Sequence, residues 1–155
     1  MTSNALMILL FWFMSVCSAA QDEPFIYVLG VAQDAGYPQA GCYQPHCLRG
    51  WENPALRRGA TSLAVVDPGT SRKYLFEATP NLPEQLYALE KIASDRLYSL
   101  DGVFLTHAHI GHYTGLMFFG FESMNTDRLP VFAMPRMMEF LNTNGPWNQL
   151  VSMNN

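Results

Sequence analysis

Three of the four histidines in this chain fall within six residues, His107-Ala-His109-Ile-Gly111-His112, directly after the apolar run Gly102-Val103-Phe104-Leu105-Thr106. A neutral imidazole nitrogen is a good ligand for zinc, iron, copper and nickel. Residues two apart in extended chain project to the same side, so His107 and His109 can reach one ion at the roughly 2.0–2.1 Å that zinc prefers. His112 follows where the backbone is expected to turn toward a helix, in reach of the same ion or of a neighbour. A lone histidine on an apolar face is usually a core residue, but three at this spacing at a strand exit read as a metal-ligand set. The expected cofactor is Zn2+, as one or two ions.

The elements that must hold these side chains follow from periodicity. Gly102–Thr106 reads as a buried strand opened by the turn Asp101-Gly102. Upstream, Phe25–Ala32 reads as a first strand, followed by a Gly- and Pro-containing loop from Asp34 to about Pro54. Thr61–Val66 and Lys73–Phe76 form a predicted hairpin around Asp67-Pro68-Gly69-Thr70. Asn81 with Glu84 three residues later is a capping pattern, and Leu86, Leu89, Ile92 and Ala93 recur at helical spacing up to about Ser94 or Asp95. Tyr113–Phe121 is a second helix, Pro130–Met134 a strand, Pro135–Leu141 a short helix, and Leu150–Asn155 the opening of a further strand. Strands first, then strands alternating with helices, imply an α/β (α+β) layered structure.

Thr106-His107-Ala108-His109-Ile110-Gly111-His112 resembles the His-x-His-x-Asp-His motif of the metallo-β-lactamase superfamily, with Gly111 where the motif has aspartate. The resemblance implies that His107 and His109 hold a first metal and His112 a second, and Gly111 puts the two-metal centre in doubt because glycine has no side chain to ligate. Val28-Leu29-Gly30-Val31-Ala32-Gln33-Asp34-Ala35-Gly36-Tyr37-Pro38-Gln39, with Cys42 and Cys47 beyond it, is similar to the branch that includes pyrroloquinoline-quinone biosynthesis protein B. Ala60–Val65 and Thr114-Gly115-Leu116 extend that likeness over roughly residues 25–140. It implies an αββα sandwich of which only the first half is visible here. Superfamily members draw later ligands from downstream histidines and acidic residues, and after His112 this sequence has no histidine and no cysteine. The sequence therefore reads as the N-terminal part of a longer enzyme; otherwise its second sheet must come from a partner chain. Of the remaining acidic residues, Glu122, Asp127 and Glu139 are read as solvated.

Cys42, His46 and Cys47 allow a disulfide, by compartment, a structural zinc, as the relatives' cysteine cluster implies, or free thiols; Gln44 stands where those relatives carry a further cysteine. Asp34 is either an ordinary turn aspartate or a carboxylate that accepts from an imidazole N–H and orients the ring. Arg57 and Arg58 read as a solvated basic pair rather than an anion grip. Met117, Phe118, Phe119 and Phe121, and the pair Met137-Met138, read as packing.

With 155 residues, 49% of them hydrophobic, the chain can bury one core. A formal charge of −4 without a basic stripe excludes nucleic acid as a natural partner. Ala5–Val16 is an apolar run too short to span a bilayer, followed by Ser18-Ala19-Ala20 and polar residues. It reads as a signal peptide over residues 1–20 ahead of one domain over 21–155, and implies secretion or a periplasmic location with no stable membrane span after cleavage. No lysine or arginine precedes Arg49, which leaves an uncleaved membrane anchor as the rival. A lipidated Cys17 is disfavoured by Val16 before it. The expected function is that of an exported metal-dependent hydrolase acting on a small molecule, with a homo-oligomer as a further expectation. The alternatives are a non-catalytic metal- or small-molecule-binding protein and a remnant without activity of its own.

Overall fold

A computed structural model of the chain describes residues 23–155; the segment read as a signal peptide lies outside them. Five strands, β1 (Phe25–Gly30), β2 (Ser62–Asp67), β3 (Arg72–Phe76), β4 (Ser99–Phe104) and β5 (Val131–Phe132), form one sheet in the order β1-β2-β3-β4-β5. β1, β2 and β3 pair antiparallel, whereas β3–β4 and β4–β5 are parallel. The hairpin of β2 and β3 is built as expected, its turn closed by the Asp67 carboxylate on the Gly69 N–H and the Thr70 hydroxyl.

The helices are α1 (Pro45–Glu52), α2 (Leu82–Glu90), α3 (Ile110–Tyr113), α4 (Pro135–Thr143) and α5 (Trp147–Ser152), with short 3₁₀ turns at Pro54–Leu56 and Thr114–Phe119. Because strand side chains alternate, Ala64, Val66, Leu75 and Val103 share one face of the sheet, and α2, α3, the second 3₁₀ turn and α4 bury it through Leu82, Leu89, Tyr113, Leu116, Phe119, Met137 and Leu141. The opposite face carries Ile26, Val28, Leu63, Val65, Tyr74, Phe76, Phe104 and Phe132, in register across all five strands. Phe76, Phe104 and Phe132 stack at centroid spacings of 5.0 and 4.6 Å, and Ile26, Val28 and Phe132 remain exposed. Gly102 lets the last ring in: a Cβ there would lie 2.8 Å from Phe132 Cε2.

Several elements differ from the sequence reading. Leu150–Asn155 does not begin a strand: Trp147–Ser152 is helical. Leu150 packs toward Gly120 and the main core, and the backbone carbonyls of Asn154 and Asn155 accept from Arg128 and Leu129 N–H. α1 interrupts the expected loop, started by Pro45 at its first turn. β4 begins at Ser99, so Asp101-Gly102 lies inside the strand, because parallel pairing with β3 already starts at Arg72–Ser99. β5 is only two residues long, and the helix expected from Tyr113 starts at Ile110 and tightens to 3₁₀ from Thr114. α2 ends at Glu90, before Ser94. Asn81 caps it without a side-chain bond, since its Oδ1 accepts from Ala60 N–H at 2.9 Å instead.

Beyond α2 the Glu90 carboxylate closes the turn, accepting from Ser94 Oγ and Asp95 N–H, both at 2.6 Å. These two hydrogen bonds, the Ser94 one foremost, hold its pKa below the ordinary glutamate value. A depressed carboxylate stabilises the fold above its unfolded pKa and loses that contribution as pH falls through the folded one. The protection of the Asp95 amide against exchange, relative to its intrinsic rate at each pH, is therefore expected to fall as the pH drops below the ordinary glutamate range, which a pH series of hydrogen-exchange measurements would read.

Candidate metal centre

The histidine cluster and the carboxylates around it come from connections at one end of the sheet. β3 runs into Glu77-Ala78-Thr79, and β4, parallel to it, runs into Leu105 to His109 before α3 begins. The two connections are laced by backbone: Glu77 N–H donates to Phe104 C=O at 2.9 Å, Ala78 N–H to His112 C=O at 2.9 Å, and Gly115 N–H to Ala78 C=O at 2.8 Å. The approach is close because Gly115 has no side chain; a Cβ there would lie 2.1 Å from the Thr79 carbonyl oxygen.

The third contributor is the loop after β1. Val31 and Ala32 N–H bond the Gly59 carbonyl, and Tyr37 and Arg58 exchange two backbone bonds. Gly36, at φ +102°, has Arg58 O and Asn81 Oδ1 each 3.2 Å from where its Cβ would be, a conformation and a space that suit glycine alone. A buried polar group ties this loop to α2, with Gln85 accepting from Thr79 Oγ1 and donating to Ala60 C=O. Asp34 is thereby held beside the histidines.

The three imidazoles gather. The His107 centroid lies 4.1 Å from that of His112 and 4.6 Å from that of His109. The sequence pairs His107 with His109, but ligand atoms of His107 and His112 join one of Glu77 within 4.8 Å of one another. His109, the N-cap of α3, is more exposed and has Nδ1 3.9 Å from Asp34 Oδ2. His112 lies between two carboxylates, Nε2 at 2.6 Å from Asp34 Oδ1 and Nδ1 at 3.5 Å from Glu77 Oε2. His107 Nδ1 is fixed by Thr106 Oγ1 at 2.8 Å.

Glu77 is the residue that sequence reasoning missed. It is 5% exposed, its Oε1 accepts from Thr106 N–H at 3.2 Å, and its Oε2 is buried without a hydrogen bond, as is His112 Nδ1. Its backbone is left-handed at φ +72°, which costs a non-glycine residue about 1–3 kcal/mol. A buried carboxylate in a strained conformation against an imidazole is built to hold that ring. The available signal was an acid directly after the apolar strand Tyr74-Leu75-Phe76, where a buried charge needs a partner. Glu77→Gln is expected to weaken zinc affinity about 10–100-fold with little change in far-UV circular dichroism, as measured by zinc titration.

The remaining candidates lie elsewhere. Cys42 and Cys47 are joined as a disulfide with Cα atoms 5.9 Å apart, and His46 Nε2 is 3.6 Å from Cys42 Sγ. In that oxidised state neither sulfur is a thiolate able to ligate zinc. Arg57 and Arg58 spend their guanidinium donors on the carbonyls of Gly50, Trp51, Ala55 and Arg57, so they brace α1 and the turn after it. Glu122, Asp127 and Glu139 are exposed. Phe119 and Met137 are core, whereas Met117 and Phe121 are exposed. No helix among the described residues is long and apolar enough to cross a membrane.

Residues 66–153, more than half of the chain, match the family model described as Beta-lactamase superfamily domain. The chain belongs to this family. Within the superfamily it is similar to Coenzyme PQQ synthesis protein B of Xanthomonas oryzae pv. oryzae, 35% identical over 97 residues that make up 59% of this chain and 32% of the relative. The protein of the same name from Rhodopseudomonas palustris is 28% identical over 130 residues, 81% of this chain and 40% of the relative. The chain thus spans roughly a third of the length of these relatives. Among solved structures, Zn2+-bound PqqB from Methylobacterium extorquens superposes with a TM-score of 0.63 at 24% identity, covering 79% of this chain and 44% of that one. A diphosphatase from the PhnP family gives 0.56 at 26% identity, covering 77% and 44%. The fold is the metallo-β-lactamase-like α/β fold, and the five-stranded sheet with its helices corresponds to part of it.

Proposed function

We propose that this superfamily member is a zinc-dependent hydrolase-like protein, exported by its N-terminal apolar segment, that acts on a small molecule and is related to quinone-cofactor biosynthesis. The observation that carries the reading is the convergence of His107 and His112 over a buried, incompletely partnered carboxylate at the end of β3 and β4, with His109 beside His107. Nitrogen donors backed by a carboxylate suit Zn2+, and the likeness to a zinc-bound relative supports the choice of ion. His107 and His109 would hold it, with His112 on the same ion or on a neighbouring one. A divalent ion supplies Lewis acidity toward a carbonyl or phosphoryl oxygen and lowers the pKa of a water to near neutrality.

The chain's own residues set the centre up. Thr106 Oγ1 occupies His107 Nδ1 and so leaves Nε2 as the ligating nitrogen. Glu77 Oε2, 3.5 Å from His112 Nδ1, is placed to orient that ring when Nε2 ligates. His109, on the exposed rim, is where a substrate's oxygen would meet the centre.

The test is hydrolysis by the full chain with added Zn2+ against a panel of carboxylic esters, amides and phosphodiesters. Turnover that a chelator abolishes and zinc restores is the expected result. Stoichiometric zinc without turnover of any class would reduce the role to binding, and absence of zinc binding would remove the reading altogether.

A further inference from the structure

Gly111 stands where the histidine motif would place an aspartate, yet the space beside it is filled. A Cβ built on Gly111 would lie 3.0 Å from Asp34 Cβ, 3.1 Å from its Cγ and 3.4 Å from its Oδ1. A side chain at position 111 and the carboxyl group of Asp34 would therefore compete for one volume, 77 residues apart in sequence. The Asp34 carboxylate that takes that volume has Oδ1 2.6 Å from His112 Nε2 and Oδ2 3.9 Å from His109 Nδ1.

We propose that Asp34 is a metal ligand, supplied by the loop after β1 in place of the carboxylate that position 111 lacks, and that with His112 it forms the second half of a two-ion centre. The proposal rests on the metal-centre reading above and deepens it. His112 Nε2 and Asp34 Oδ1, 2.6 Å apart, are close enough for one divalent cation to be ligated by both. The loop is held rigidly enough to present a ligand. Its backbone bonds to Gly59 and Arg58, and the tie from Ala60 to Asn81 and Gln85, fix Asp34 from both sides.

Position 111 and Asp34 are thus predicted to be exchangeable. The experiment is titration of the full chain with Zn2+, read by bound metal per chain and by calorimetry, with melting temperature as the folding control. Wild type is expected to take two equivalents. Asp34→Ala and Asp34→Asn are each expected to lose the second equivalent or weaken it at least tenfold, while the first is retained. Gly111→Asp alone crowds Asp34 and should not strengthen binding, whereas Asp34→Ala combined with Gly111→Asp should regain the second equivalent.

Asp34→Asn binding both ions as wild type does would overturn the proposal, since an amide still accepts from an imidazole N–H and so reproduces a purely orienting role. A folded double variant that fails to regain the second ion would overturn it too, as would a single equivalent in wild type. Wild type binding no zinc at all would sink the metal-centre reading itself, which is a different result from losing only the second ion.

Discussion

The double substitution His107→Ala, His109→Ala is expected to leave a folded chain that no longer binds stoichiometric zinc. Neither ring is structural: the His109 side chain is 77% exposed, and His107 makes one side-chain hydrogen bond, to its own neighbour Thr106. Truncating surface groups of this kind changes stability by about 0.5 kcal/mol or less. The metal loses far more: the first ion loses both of its imidazoles, and without that neighbouring ion His112 Nε2 and Asp34 alone fall short of the three protein ligands that open zinc sites use. Elemental analysis of the purified variant against wild type reads the outcome directly. Zinc content unchanged by the double substitution would mean that these imidazoles line a surface and nothing more.

The second large effect is structural. Gly115→Ala is expected to destabilise the fold by about 3 kcal/mol, at or above the upper end of the usual overpacking cost. The added methyl would sit 2.1 Å from the Thr79 carbonyl oxygen and 2.8 Å from the Ala78 carbonyl carbon. These are backbone atoms of the connection that carries Glu77, so no rotamer change relieves the clash. The bond from Gly115 N–H to Ala78 C=O must stretch, and the reciprocal bond from Ala78 N–H to His112 C=O moves with it. Zinc affinity should fall together with stability, since the same shift parts His112 from Glu77. Denaturant unfolding measures the first effect. Gly69→Ala is the control, because its nearest neighbour, Asp67 Oδ1, is 3.4 Å away; it should change stability by no more than about 0.5 kcal/mol.

What the sequence reveals here divides along a physical line. The hairpin and the exit of β4 are legible because alternation and turn residues are local properties, and the histidine cluster is legible because three ligands within six residues need no fold to be noticed. Glu77 is not legible in that way: its meaning comes from His112 and Thr106, which parallel pairing of β3 with β4 brings back across about thirty residues. Asp34 can be singled out as a turn aspartate near the site, but only the position of Gly111 shows what space it fills. Leu150-Val151 suggests a strand because a short apolar run does not distinguish strand from helix; its contacts with the core decide for helix. α1 hides in a loop read chiefly for its cysteines and histidine, although Pro45 marks its start.

The stacked rings of Phe76, Phe104 and Phe132 face away from the helices, with Ile26 and Val28 exposed at the far edge of the same surface. Water is a poor neighbour for a sheet side of this kind. The imidazole cluster, carried on the loops at the strand ends, makes no use of it. The two demands on this polypeptide are therefore spatially separate: shielding the greasy flank is a matter of solubility, and whatever shields it can vary without redrawing the chemistry at the rim.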